Sequence, residues 1–236
     1  MAPGPELPAD GEAHVWLVPD YRHVGLAGFS SILDGQEMER YRRFYQARDA
    51  ERYTAAHVAL RAVLAGYLQV EPGAVEFARN AWGKPRPGNA GAAGLEFNMS
   101  HSGDLVLIAV ARGREVGVDV EQVRPGFPVL DVARSHFAEP EYALLVSLPA
   151  DLRPAAFFTL WTRKEACLKA TGLGLHLPLD QIDLAGDGLA RDRQEAVVAG
   201  DRYAIAGLKP APGYVGAVAV HGPLKLTIYT YRSMGL

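Results

Sequence analysis

Trp161-Thr-Arg-Lys-Glu-Ala-Cys-Leu-Lys-Ala-Thr-Gly172 reads as a helix that runs out of Pro154 and stops at a glycine suited to a left-handed cap. On a helical wheel Phe157, Trp161 and Leu168 form an apolar stripe, Glu165 lies a small rotation from Trp161, and Lys169 follows Glu165 by one turn. A carboxylate and an ammonium therefore flank the face that packs. By itself such a pair is a surface ion pair worth roughly 0.3 to 0.5 kcal/mol; the sequence upstream argues for more.

Glu115-Val-Gly-Val-Asp-Val-Glu121 alternates as a strand, with Val116, Val118 and Val120 on one face and Gly117, Asp119 and Glu121 on the other. Two like charges on one face are unfavourable unless a cation or hydrogen-bond donors lie between them, and a hard ion such as magnesium suits oxygen ligands. With Glu165 added, three carboxylates are available. Magnesium takes only a few carboxylates plus substrate phosphate oxygens, so the cluster suggests metal-assisted phosphoryl chemistry, with Lys164 and Lys169 answering the phosphate charge.

The 236 residues, 49% of them hydrophobic, suffice for one large domain or two small ones. A formal net charge of -3 gives no general polyanion signal, so nucleic acid is not an expected partner. There is no apolar run long enough to span a bilayer, and the opening Met-Ala-Pro-Gly-Pro-Glu-Leu-Pro lacks the basic and apolar regions of a secretory signal, so a cytoplasmic location is expected. Cys167, the single cysteine, forms no internal disulfide and reads as a small apolar filler. No Walker-type glycine-rich loop ending in Lys-Ser/Thr is present, which removes the commonest nucleotide hydrolases. Arginines outnumber lysines 19 to five, and Lys84, Lys164 and Lys169 fall inside the segments that carry chemistry. A lysine ammonium is a point charge suited to phosphate oxygens.

In chain order, residues 1–13 read as a mobile extension, 14–112 as an N-terminal half and 113–236 as a C-terminal half carrying the carboxylate motifs. His14 to Val18 is a first strand. Helix follows from about Gln36 to Leu68, broken near Arg48-Asp49, with Asp49 as the cap of the second part and Arg52 in its first turn. Ala74 to Arg79 is a short strand before the loop Asn80-Ala-Trp-Gly-Lys-Pro-Arg-Pro-Gly88. Leu95 to Ser100, Leu105 to Ala111 and Val116 to Glu121 suggest an antiparallel meander, with His101 beside the first turn. Two short helices lie between Val129 and Leu148, and strands are expected at Leu179–Leu184, Arg202–Leu208, Tyr214–Val220 and Leu224–Tyr231. Each half then runs strand, helices, strands, an α+β pseudo-duplication argued from element order.

Val116-Gly-Val-Asp-Val-Glu121 followed by Trp161-Thr-Arg-Lys-Glu-Ala-Cys-Leu-Lys169 resembles the two-part signature of the phosphopantetheinyl transferases, in their long, Sfp-type branch. Asn98-Met-Ser-His-Ser102, Trp82-Gly-Lys-Pro85 and Arg42-Arg-Phe-Tyr45 are similar to further family motifs, so the resemblance runs from about Trp16 to Val220. It implies two similar α+β halves packed side by side, with coenzyme A in the cleft between them. It also implies transfer of the phosphopantetheine arm from coenzyme A to a serine of an acyl or peptidyl carrier protein, with release of adenosine bisphosphate. Magnesium would sit on Asp119, Glu121 and Glu165. Lys169 would stabilise the leaving group, and Glu165 would accept the serine proton directly or through water, although a carboxylate neutralised by metal is a weaker base. Arg40 and Arg52 would hold the ribose phosphate, and Lys84, Pro85, Ser100, His101, Lys164 and Lys169 would complete the coenzyme site. Glu37 stands where family members often carry lysine, which leaves that phosphate grip weaker or differently arranged. A monomer is the simpler expectation. Another magnesium-dependent phosphoryl-transfer enzyme, or a module that binds carrier or nucleotide without turnover, remains open at this stage.

Overall fold

The computed structural model describes residues 5–92, 94–173, 177–185, 189 and 191–231. Ten strands and six α-helices alternate along it. The first part contains β1 (Glu12–Val18), α1 (Phe29–Ile32), α2 (Gly35–Arg42), α3 (Ala47–Leu68), β2 (Phe77–Arg79), β3 (Pro85–Pro87), β4 (Leu95–Ser102) and β5 (Leu105–Arg112). The second contains β6 (Val116–Gln122), α4 (Val129–His136), α5 (Glu139–Ser147), α6 (Arg153–Thr171), β7 (Arg193–Val198), β8 (Asp201–Leu208), β9 (Tyr214–His221) and β10 (Lys225–Thr230).

Two four-stranded sheets carry the fold, ordered β10-β1-β5-β4 and β6-β9-β8-β7. Helix α3 buries the expected helical-period set, Tyr53, Ala56, Leu60, Val63, Leu64 and Tyr67, and all but Tyr53 join a core shared with Phe97, Ile108 and Val110 of the first sheet. Helix α6 does the same against the second sheet through Phe157, Leu160 and Cys167. A third core lies between the sheets, where Val116, Val118 and Val120 of β6 meet Leu105, Leu107 and Ala109 of β5. The valine face of β6 is thus turned to the sheet interface, and the opposite face is left for α6.

That opposite face explains Gly117. A Cβ built there would lie 2.0 Å from the Ala166 carbonyl oxygen and 2.4 Å from the Ala170 nitrogen, so β6 and α6 approach backbone to backbone. Gly117→Ala is expected to lower stability by about 1–3 kcal/mol or more, since neither backbone can yield without moving the other. A denaturant midpoint equal to that of the parent protein would show that the two elements separate freely.

Several sequence-based expectations are corrected. The meander stops after the β4–β5 hairpin, because β6 joins the second sheet through β9. The division at residue 113 leaves out one exchange: β10 returns to the first sheet and pairs in parallel with β1, so residues 113–236 do not form a closed half. The first strand begins at Glu12 rather than His14. Of the expected N-terminal extension, residues 1–4 lie outside the described residues, Pro8 is buried and Asp10 pairs with Arg114 at 2.6 Å. The helix break falls at residues 43–46, with Gln46 at the N-cap and Asp49 inside the first turn, where its charge still favours the helix dipole. Leu179–Leu184 is not a strand: Leu179–Gln181 forms a 3-10 turn, because the Leu179 and Ile182 carbonyls accept from Lys164 Nζ instead of a neighbouring strand. Strand β7, which sequence reasoning missed, turns only Gln194, Ala196 and Val198 inward.

Candidate active site

The site forms where the two halves meet, along β4 and β6. These strands run alongside each other without a backbone ladder; side chains of β4 take its place. The Val118 amide donates to Asn98 Oδ1 at 3.0 Å, Ser100 Oγ donates to Asp119 Oδ1 at 2.7 Å, and Ser102 Oγ donates to Glu121 Oε2 at 2.8 Å while accepting from the Gln122 amide at 3.1 Å. Asn98, Ser100 and Ser102 share one face of β4 through its two-residue period. Three polar residues at alternate positions beside a strand carrying two carboxylates were the signal for Asn98 and Ser102, which sequence reasoning left out of the site.

Close packing at Gly117 brings the last turns of α6 over the carboxylate face of β6. Lys169 Nζ donates to Asp119 Oδ1 at 2.6 Å and to Ser100 Oγ at 3.1 Å. Asp119 is buried, and its second oxygen, Oδ2, has no hydrogen-bond partner among the described residues. Glu165 makes no hydrogen bond or ion pair among the described residues. Burial, followed by the charge of Asp119, pushes its carboxyl above the usual range, with Lys169 opposing. Burial likewise raises Glu121, against the hydrogen bond from Ser102, and Asp119 raises it further. Asp119, Glu121, Glu165 and Lys169 thus form one electrostatic unit.

The donor chemistry suits a hard divalent cation: all three acids offer oxygens, and an orphaned buried carboxylate oxygen is costly until a cation or donor reaches it. The geometry is not closed around an ion, however. Among the described residues no three His, Cys, Asp or Glu side chains are grouped to hold one, and the Lys169 ammonium takes the inner oxygen of Asp119.

Two cavities open beside this cluster. The smaller, about 290 Å³, is lined by Trp82, Lys84, Asn98, Glu165 and Lys169. The larger, about 1290 Å³, runs along α2 and includes Arg40, Tyr53, His57 and Arg79. Pro85 and Asn98 line both, so the two are adjoining parts of one groove.

The structure sorts the predicted coenzyme residues. Arg40, Pro85 and Lys169 line the groove, and Ser100 is hydrogen-bonded to Lys169 beside it. His101 is open to solvent; desolvation by the protein around it and the positive charges of Lys169, His57, Arg52 and Arg40 hold its imidazole below the usual value. Arg52 lies outside the lining, tied to Asp104 at 3.4 Å and Asp49 at 3.9 Å. The Lys84 ammonium is not free for phosphate: it donates to the carbonyls of Val116 and Ala170 at 2.9 and 2.8 Å, joining the end of α6 to the start of β6. The residue still lines the smaller cavity. Lys164 is removed from the site altogether. It is fully buried, 2.6 Å from Glu141 Oε2, so it cannot answer a substrate charge.

A model described as the 4'-phosphopantetheinyl transferase superfamily matches residues 115–206, and one described as the N-terminal region of 4'-phosphopantetheinyl transferase matches residues 22–113. The two matches meet at the turn between β5 and β6. The chain is 39% identical to the 4'-phosphopantetheinyl transferase HetI of a Nostoc species over 89% of its own length and 88% of the relative's. It is 31% identical to the 4'-phosphopantetheinyl transferase Sfp of Bacillus subtilis, over 87% and 91% respectively. Family models matching both halves, with relatives 39% and 31% identical over most of both chains, show that this chain belongs to the Sfp-type phosphopantetheinyl transferase family and is a 4'-phosphopantetheinyl transferase.

Proposed function

We propose that the protein transfers the phosphopantetheine arm of coenzyme A to a serine hydroxyl of an acyl or peptidyl carrier protein in a magnesium-dependent reaction, releasing adenosine 3',5'-bisphosphate. The observation that carries this reading is Asp119: buried on the seam, held through one oxygen by Ser100 and Lys169, and bare at the other beside Glu121 and Glu165. Asp119, Glu121 and Glu165 are the residues that would hold the cation. When bound, magnesium neutralises pyrophosphate oxygens and withdraws electron density from phosphorus.

The larger cavity takes the nucleotide, with Arg40 near its phosphate, and the smaller takes the pyrophosphate and arm beside Lys169. The carrier serine oxygen forms a bond to the phosphorus that bears the pantetheine arm, and the bond from that phosphorus to the bridging oxygen breaks. Glu165, whose carboxyl is held above its usual range by burial and the charge of Asp119, accepts the hydroxyl proton directly or through water. Lys169 donates to the phosphate that departs with the nucleotide, where charge accumulates. The two halves supply both walls within one chain, so a monomer is sufficient for the reaction. No helix among the described residues is long and apolar enough to cross a membrane.

Incubation of an apo carrier protein with coenzyme A and magnesium, followed by intact-protein mass spectrometry, tests the reading. The carrier is expected to gain one phosphopantetheine arm, and chelation of the metal is expected to prevent the gain. Absence of that gain across acyl and peptidyl carriers would overturn the proposal.

A further inference from the structure

We propose that His57 is a phosphate-binding residue of the nucleotide cavity, its ring fixed through Nδ1 by Glu37, acting with Arg40 on the ribose phosphate of coenzyme A. This inference rests on the nucleotide reading of the larger cavity and names the residue that completes its anion grip.

The argument starts from the glutamate that replaces the expected cation. Glu37 is buried, and it is an acceptor on every side: Arg61 Nε donates to Oε2 at 2.7 Å, the Asp34 amide donates to Oε2 at 2.9 Å, and His57 Nδ1 lies 2.7 Å from Oε1. Burial works against its ionisation, but the hydrogen bonds from His57 and the Asp34 amide, with Arg61, outweigh it and hold the carboxyl below the usual range. An ionised carboxylate only accepts, so the proton on this contact belongs to His57 Nδ1. Nε2, across the ring, is left without a partner among the described residues.

Charge in the network agrees. The Arg61 guanidinium is fully buried and serves two acids, Glu37 and Asp34, the latter at 2.8 Å. One guanidinium against two carboxylates leaves this wall one positive group short. The remaining charged groups of this cavity are Glu39, paired with Arg43; Arg79, which donates to the Gly83 carbonyl; and Arg40, which has no acidic partner among the described residues.

Position completes the case. His57 and Arg40 both line the larger cavity and both lie against the Tyr53 ring, the imidazole with its centroid 4.1 Å away and the guanidinium carbon 5.6 Å away. They belong to different helices, α3 and α2, and converge on one wall. A ring fixed through Nδ1, able to donate from Nε2 in its protonated form, beside a guanidinium with no acid partner among the described residues is the chemistry of a phosphomonoester site. Glu37 does not oppose such a ligand directly, because it is buried with its oxygens already occupied.

Isothermal titration of the full-length protein with coenzyme A and with dephospho-coenzyme A tests this assignment. His57→Gln keeps an amide donor for Glu37 and removes the ring nitrogen that can carry the phosphate contact; it is expected to weaken coenzyme A by about 10- to 100-fold and leave dephospho-coenzyme A unchanged. His57→Lys, which supplies a positive charge, is expected to recover part of that selectivity. Equal weakening of both ligands by His57→Gln would assign His57 a purely structural role, and unchanged selectivity would place the phosphate elsewhere; either result overturns the proposal. Failure of the parent protein to prefer coenzyme A over dephospho-coenzyme A would instead overturn the nucleotide reading on which it stands.

Discussion

Asp119→Asn and Glu165→Gln are each expected to reduce phosphopantetheine transfer by about 100- to 1,000-fold, roughly 3–4 kcal/mol of barrier, because each removes a preorganised charge from the reacting centre. The two variants differ in what else they disturb. Asp119 accepts from Lys169 at 2.6 Å and from Ser100 at 2.7 Å, so the asparagine loses an ion pair as well as a charge. Mutual repulsion among the carboxylates, the picture that the sequence suggests, would leave melting unchanged or raised on removal of Asp119. The structure reverses that expectation. Asp119→Asn is expected to lower stability by about 1.5–3 kcal/mol, the range for a charged hydrogen bond. Glu165 has no such partner, and Glu165→Gln relieves a carboxyl held above its usual range by burial and neighbouring charge, so its melting temperature is expected to hold or rise. Magnesium is expected to raise the melting temperature of the parent protein and not that of Asp119→Asn. Transfer at the parent rate in either variant would remove that residue from the reaction, and an unaltered magnesium response would remove Asp119 from the metal site.

Lys164→Ala is expected to cost about 3–5 kcal/mol, enough to threaten the fold, because it leaves the Glu141 carboxylate buried without its counter-charge. Both side chains are fully excluded from solvent, 2.6 Å apart, and Glu141 Oε1 accepts from the Leu184 amide at 3.0 Å. Burial raises the proton affinity of the Glu141 carboxyl and lowers that of the Lys164 amine, each opposed by its partner. The pair ties α6 to α5, and Lys164 also draws in the carbonyls of Leu179 and Ile182. A urea midpoint shifted downwards at unchanged slope, together with substantial recovery in Lys164→Met/Glu141→Leu, is the expected pattern. Parent stability combined with weakened coenzyme A affinity in Lys164→Ala would return this lysine to the nucleotide site.

Lys164 and Lys169 show where sequence reading ends. Both lie on one helix within the same motif, and no feature of spacing separates a phosphate ligand from a buried structural cation. Their difference is set by what stands across from each: Glu141 from a helix about 20 residues earlier, and Asp119 from a strand of another layer. Glu37 teaches the same lesson in reverse. It looked like a gap in a basic site, and it became the anchor of Arg61 and His57 only when α2 packed on α3.

What the chain determined by itself was local. Alternation along Val116–Glu121 placed the valines and the carboxylates on opposite faces, the helical period marked the buried side of α3, and Gly172 ended α6 in the left-handed conformation. These properties follow from backbone period and residue shape, which are written within a few residues. Only the tertiary structure decided that β10 closes the first sheet, that β4 and β6 are joined by side chains instead of a ladder, and that Lys169, unlike Lys164, meets the site. Those outcomes depend on groups far apart in sequence competing for the same partners, and a carbonyl, carboxylate or sheet edge becomes a partner only once packing has brought it within reach.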